Sequence, residues 1–139
     1  MLVTTHTEEL KTLGRNDCVD ITESVQQAVA EAKLRHGQAT VFITGSTAGV
    51  TTIEYEPGLV RDLKEAVRRL FPEDLRYAHH DSGGDDNGFS HLRASFIGPS
   101  LSVPIVDGKL QLGTWQQIVL IDFDTRPRNR SYLIQLIGE

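Results

Sequence analysis

Between His79 and Ser95 the chain reads HHDSGGDDNGFSHLRAS, which holds three of its five histidines and three aspartates. Neutral imidazole is a ligand for zinc and other transition metals. Adjacent carboxylates such as Asp85 and Asp86 suit magnesium, with water and substrate phosphate completing the shell. Gly83, Gly84 and Gly88 flank these groups and let the backbone bend and approach a ligand closely. The stretch is long enough to fold back and bring His79 and His91 to one ion. Its spacing is neither that of a zinc finger nor that of the HExxH helix. On spacing alone, a site and a solvated acidic loop are evenly matched.

Two further segments offer groups for an anion. Gly45-Ser46-Thr47-Ala48-Gly49 lies between two apolar runs, and its backbone N–H groups with the Ser46 and Thr47 hydroxyls can face a phosphate oxygen. It lacks the trailing lysine of a Walker loop, so nucleotide binding by that route is unsupported, and taken alone an ordinary glycine-containing connection is the commoner outcome. Asp124-Thr125-Arg126-Pro127-Arg128-Asn129-Arg130 puts three arginines on one turn. A guanidinium pairs bidentately with an oxyanion, although solvated turn charges are the commoner outcome. Trp115 reads as sheet packing, and Cys18, the lone cysteine, as a small core residue. His6 and His36 read as surface residues.

The elements that must position these groups follow from periodicity. Ile21, Val25, Ala28, Val29 and Ala32 share one helical face, with Asp20 and Glu23 as a capping box and Gly37 as the stop. A second helix opens at Pro57, carries Leu59, Val60, Leu63, Ala66, Val67 and Leu70 on one stripe, and ends before Pro72. Strands are predicted at 39–44, 50–55, 92–97, 101–106, 110–112, 115–123 and 131–137, with edge strands at 2–5 and 18–20. Asp107-Gly108 between two apolar runs marks a hairpin. Short strands in close succession pair antiparallel. The expected class is α+β, a two-layer antiparallel, jelly-roll-like β-sandwich with two amphipathic helices on an outer face.

At 139 residues the chain suits a single domain over 1–139 with a real core. With 39% hydrophobic and 24% charged residues it is globular rather than disordered. A net charge of −5 argues against a general nucleic-acid grip. No apolar run approaches the roughly 18 residues of a membrane span, and MLVTTHTEEL lacks the basic and apolar regions of a signal peptide. A cytoplasmic location, without membrane or nucleic-acid partners, is expected.

An ordered set of short motifs resembles one family. It runs from Val19-Asp20-Ile21-Thr22 through Ser46-Thr47-Ala48-Gly49-Val50 with Glu54, then Pro72-Glu73-Asp74, Tyr77 and His79. Gly84-Asp85-Asp86-Asn87, His91-Leu92, Ala94-Ser95 and Gly98-Pro99-Ser100 follow. Pro104, Gly108, Leu112-Gly113-Thr114-Trp115-Gln116, Pro127-Arg128 with Arg130, and Gly138-Glu139 complete it. Across residues 17 to 139 this resembles the YjbQ-like family, also called the secondary thiamine-phosphate synthase enzyme family. The resemblance implies a compact α+β fold, assembly as a homotrimer, and a histidine-lined cleft for a metal or an anion. It departs at Gly45, where the family carries histidine, and at Ile53, where it carries asparagine. A three-histidine site would thereby lose a ligand.

The family name implies joining a pyrimidine diphosphate to a thiazole phosphate. Diphosphate would leave the pyrimidine methylene and the thiazole nitrogen would attack. On this reading Asp86, His91 and Asn87 are the catalytic candidates. His79, His91, Asp85 and Asp86 would hold a divalent metal, zinc or magnesium. Ser46, Thr47, Gln116, Arg128 and Arg130 would bind the small phosphorylated partner. The alternative is a non-catalytic trimeric module that binds a metal or an anionic metabolite. Hydrolysis by a metal-activated water is a third possibility, and it would release phosphate from simple esters.

Overall fold

The computed structural model describes residues 1–83 and 85–139. In chain order the elements are β1 (Leu2–Thr12), β2 (Asp17–Asp20), α1 (Thr22–Ala32), β3 (His36–Ile43), β4 (Ala48–Ile53), α2 (Pro57–Leu70), α3 (His79–Ser82), α4 (Gly88–Ile97), β5 (Ser100–Val106), β6 (Lys109–Leu110), β7 (Gln117–Asp122) and β8 (Arg128–Gly138). The strands form two antiparallel layers, ordered β1-β8-β3-β5-β6 and β2-β7-β4. This is the expected α+β sandwich.

Alternation along the strands builds the core. Ala39, Val41 and Ile43 on β3, Val103 and Ile105 on β5, and Tyr132, Ile134 and Leu136 on β8 meet Val50, Ile118 and Leu120 of the smaller sheet. The opposite faces of β2 and β7 carry Cys18, Val119 and Ile121, which with Phe123 pack against Val67 of α2 and Ala94 of α4. Strand β7 is therefore buried on both faces, so its sequence reads as an unbroken apolar run. Among the described residues, α2 and α4 cover this outer face. Helix α1 sends Val25, Ala28 and Val29 into the main core between the sheets.

Several local expectations change. Residues 92–97 form the second half of α4, not a strand. A short apolar run fits either state, and Phe89, Arg93 and Ala94 bury at helical spacing with Ile97 partly buried beside them. The capping box is absent: Ile21 occupies the N-cap, and Asp20 instead accepts from the Thr22 amide and hydroxyl. Helix α1 stops at Lys33, which takes the left-handed conformation at φ 55°, while Gly37 lies within β3. Trp115 is 70% exposed and precedes β7 rather than packing in it. The hairpin at Asp107-Gly108 forms as expected, with positive φ at both residues.

Candidate functional site

The loops at one end of the sandwich enclose a cleft of about 600 Å³, lined by Arg15, Ser46, Thr47, Glu73, Asp85, Asp86, Asn87, His91, Asp124, Thr125, Arg126 and Arg128. Five separated segments meet here, and every lining residue is polar. Of the candidates named from the sequence, Ser46, Thr47, Asp85, Asp86, Asn87, His91 and Arg128 line this one cleft. Gln116 does not. It accepts from the Gly113 amide, donates to Thr52, and lines a separate cavity of about 320 Å³.

The floor is a buried ionic network. Asp122 ends β7, and Ala48, opposite it on β4, follows Thr47 directly. Arg130 on β8 donates from Nε and Nη2 to the two Asp122 oxygens, both at 2.7 Å, and from Nη2 to the Thr47 hydroxyl, also at 2.7 Å. Thr47 donates onward to Asp124, which is also paired with Arg128. Burial alone would raise the Asp122 carboxyl. Hydrogen bonds from Arg130, Thr12 and the Asp124 amide outweigh it and hold the group below the ordinary aspartate range. Asp124 is lowered in the same way, its burial offset by the Thr125 amide, Arg128 and Thr47. The three arginines of the turn therefore have different duties. Arg128 pairs with Asp124, Arg130 is locked under the floor, and Arg126 has no ion-pair partner among the described residues.

The wall comes from Asp85, Asp86 and Asn87 ahead of α4 and from His91 on α4, with α3 packed behind His91. His79 and His91 stand edge to face with ring centroids 4.7 Å apart. Gly88 opens α4 where a Cβ would meet the Tyr77 side chain at 2.7 Å, and a Cβ on Gly83 would strike the His79 ring. These glycines make room rather than supply unusual dihedrals. Gly84 lies outside the described residues. His80 accepts the Tyr77 amide at Nδ1, and its Nε2 lies 3.4 Å from Asp86. His80, then, is the imidazole beside Asp86. Asn87 Oδ1 is enclosed without a protein partner among the described residues.

Among the described residues no three His, Cys, Asp or Glu side chains are grouped to hold a metal. Where a side chain at Gly45 would project stands a guanidinium, with Arg130 Nη1 2.9 Å from a Cβ built there.

Sequence reasoning missed Arg15 and gave Glu73 no role. Arg15 lies in a turn where Gly14, Arg15 and Asn16 all take positive φ, and non-glycine residues held this way mark a constrained loop. The Arg15 and Asn16 amides donate to the Asp124 and Asp122 carbonyls, and Arg15 pairs with Glu73 at 3.2 Å. The signal in the sequence was Gly14-Arg15-Asn16-Asp17, a cluster of turn residues between two strands.

The model of the family described as UPF0047 protein YjbQ-like matches residues 6–139. A UPF0047 protein of Archaeoglobus fulgidus is 36% identical, over 92% of this chain and 97% of its own. The UPF0047 protein YugU of Bacillus subtilis is 32% identical, over 95% and 98%. The crystal structure of a YbjQ-like protein from Sulfolobus solfataricus superposes with a TM-score of 0.90 at 28% identity, covering 99% of this chain and 100% of that one. A hypothetical protein from Aeropyrum pernix gives 0.91 at 32%, covering 98% and 99%. With match, fold and ordered motifs in agreement, the chain belongs to the YjbQ-like UPF0047 family.

Proposed function

We propose that the cleft binds a small phosphorylated molecule in the cytoplasm, and that joining a pyrimidine diphosphate to a thiazole phosphate is one reaction it supports. The observation that carries this reading is the all-polar lining of a cavity large enough for a small ligand, in which Arg15, Arg126 and Arg128 share the lining with Asp85, Asp86, Asn87 and His91. Arg126 supplies charge for a phosphate, and the Ser46 hydroxyl supplies a donor. Asp85 and Asp86 accept from amino or hydroxyl groups of the ligand. Asn87 and His91 orient the reacting end.

In the condensation, the carbon–oxygen bond to diphosphate breaks as the thiazole nitrogen bonds to the same carbon. Diphosphate leaves with the bonding electron pair, so donors aimed at its oxygens favour the step. Purified protein should convert the two precursors with release of diphosphate, and Asp86→Ala should lower the rate at least tenfold while leaving the melting temperature within a degree or two. A cleft that binds but does not turn over would give calorimetric binding of pyrophosphate and no product. That result would favour the non-catalytic module. Absence of both binding and turnover would remove the proposal. Homotrimeric assembly belongs to it through the family resemblance, and light scattering showing only the 15.4 kDa monomer would remove that part.

A further inference from the structure

Arg130 is only 4% exposed, yet it is not fully engaged. Nε and Nη2 are held by Asp122 and Thr47, whereas Nη1 makes no hydrogen bond to any described residue. It is not one of the enclosed polar atoms lacking a partner, which among the described residues are His6 Nε2, Asn87 Oδ1 and Ser90 Oγ. A buried guanidinium thus reaches solvent at one nitrogen. The opening lies at Gly45, whose missing side chain leaves the notch clear, for a Cβ there would sit 2.9 Å from Nη1. Gly45 is itself exposed and adjoins Ser46 on the cleft lining.

We propose that this notch is a phosphoryl subsite, in which Arg130 Nη1 donates to an oxygen of a terminal phosphate or diphosphate group and the absence of a side chain at position 45 is what admits it. The proposal rests on the phosphate reading of the cleft and assigns that ligand's anchoring end. The two bonds to Asp122 fix the guanidinium plane before the ligand arrives, so little side-chain freedom is lost on binding. Asp122 neutralises part of the charge, which leaves Nη1 as a directional donor. The Ser46 hydroxyl beside it supplies a second donor, and Arg126 on the same cleft supplies net positive charge. A cation is disfavoured in the same place because it would face the guanidinium.

The test is calorimetric titration of inorganic pyrophosphate into wild type, Gly45→Ala and Gly45→Ser, in buffer containing a chelator, with melting curves alongside. The added carbon must push Nη1 aside or cover it, and Arg130 cannot retreat without leaving Asp122. Affinity is expected to fall tenfold or more in both variants with the fold retained. Equal affinity in wild type and both variants overturns the subsite while leaving the phosphate cleft standing. No binding by wild type overturns the cleft reading and the subsite with it. Should either variant melt early, the 15N side-chain resonance of Arg130 in wild type gives an independent reading. It is expected to shift on titration with pyrophosphate, and an unmoved resonance under saturating ligand overturns the subsite.

Discussion

Asp122 is fully buried and nevertheless charged, because two Arg130 nitrogens, the Thr12 hydroxyl and the Asp124 amide converge on its two oxygens. Removing one partner of such a pair strands the other, so Asp122→Asn should cost about 3–5 kcal/mol in urea denaturation at neutral pH. Its folded-state pKa is depressed, so the stability it contributes is complete above the ordinary aspartate value of 3.8 and drains away as pH falls below it. The gap between wild type and Asp122→Asn should therefore narrow only in that acid range. A gap that closes between pH 7 and 5 would contradict the assignment. Cys18 behaves oppositely. Burial, the largest influence, pushes its thiol up to about 11. The folded protein should resist iodoacetamide at pH 8 and label promptly in denaturant, a contrast that mass spectrometry can follow. The reading of Cys18 as a core residue was available from its type alone. The role of Asp122 was not, since an aspartate ending an apolar run shows nothing of the arginine that awaits it across the sandwich.

Helix α4 is the element on which the wall depends, and Arg93 is its anchor. From a position 3% exposed it donates to the Phe71 carbonyl through Nε and Nη2, to Asn16 Oδ1 through Nη1 at 3.1 Å, and it lies 4.8 Å above the Phe89 ring. One side chain thereby ties α4 to the C-terminal end of α2 and to the turn that carries Arg15. Arg93→Met keeps the bulk but leaves the carbonyl and the amide oxygen without donors. About 2–3 kcal/mol of stability should be lost, and pyrophosphate binding should weaken because His91, Asn87 and Arg15 lose their common brace. Intact binding in a destabilised variant would show that the wall is positioned by other means. This helix was the least legible part of the fold. Leu92 and Phe96 point outward, 38% and 75% exposed, so the apolar run that read as a strand is partly surface. The group that needed burying was an arginine, which hydrophobic periodicity does not count. By contrast, α2 and the β5–β6 hairpin were legible because each obeys one period from end to end, and β7 because its apolar run is unbroken.

At the scale of the whole molecule, the cleft gathers residues from positions 15 to 128, and no two of its five segments are consecutive elements of one hairpin. Motif order could identify these segments. It could not show that Gln116 faces elsewhere, because that depends on which side of β7 the preceding turn leaves. The first strand pairs with the last along eleven residues, and Thr12 and Arg128, at one end of the ladder, are 116 positions apart. Closing loops of that length before any contact rewards them slows folding, and topologies dominated by such pairings fold in roughly milliseconds to seconds. Stopped-flow circular dichroism is the suitable probe, since the exposed Trp115 should report little of the core. Pyrophosphate competence should appear only as the sandwich closes, because Arg130 lies on the strand that pairs with both β1 and β3 while its guanidinium reaches Asp122 of the smaller sheet. Early binding would mean that the loops can recognise anions before the sandwich closes. On a ribosome the same geometry has a practical meaning: a nascent chain halted before Arg128 lacks the strand that joins β1 to β3, so the mouth has no floor and recognition waits until Arg130 has been added.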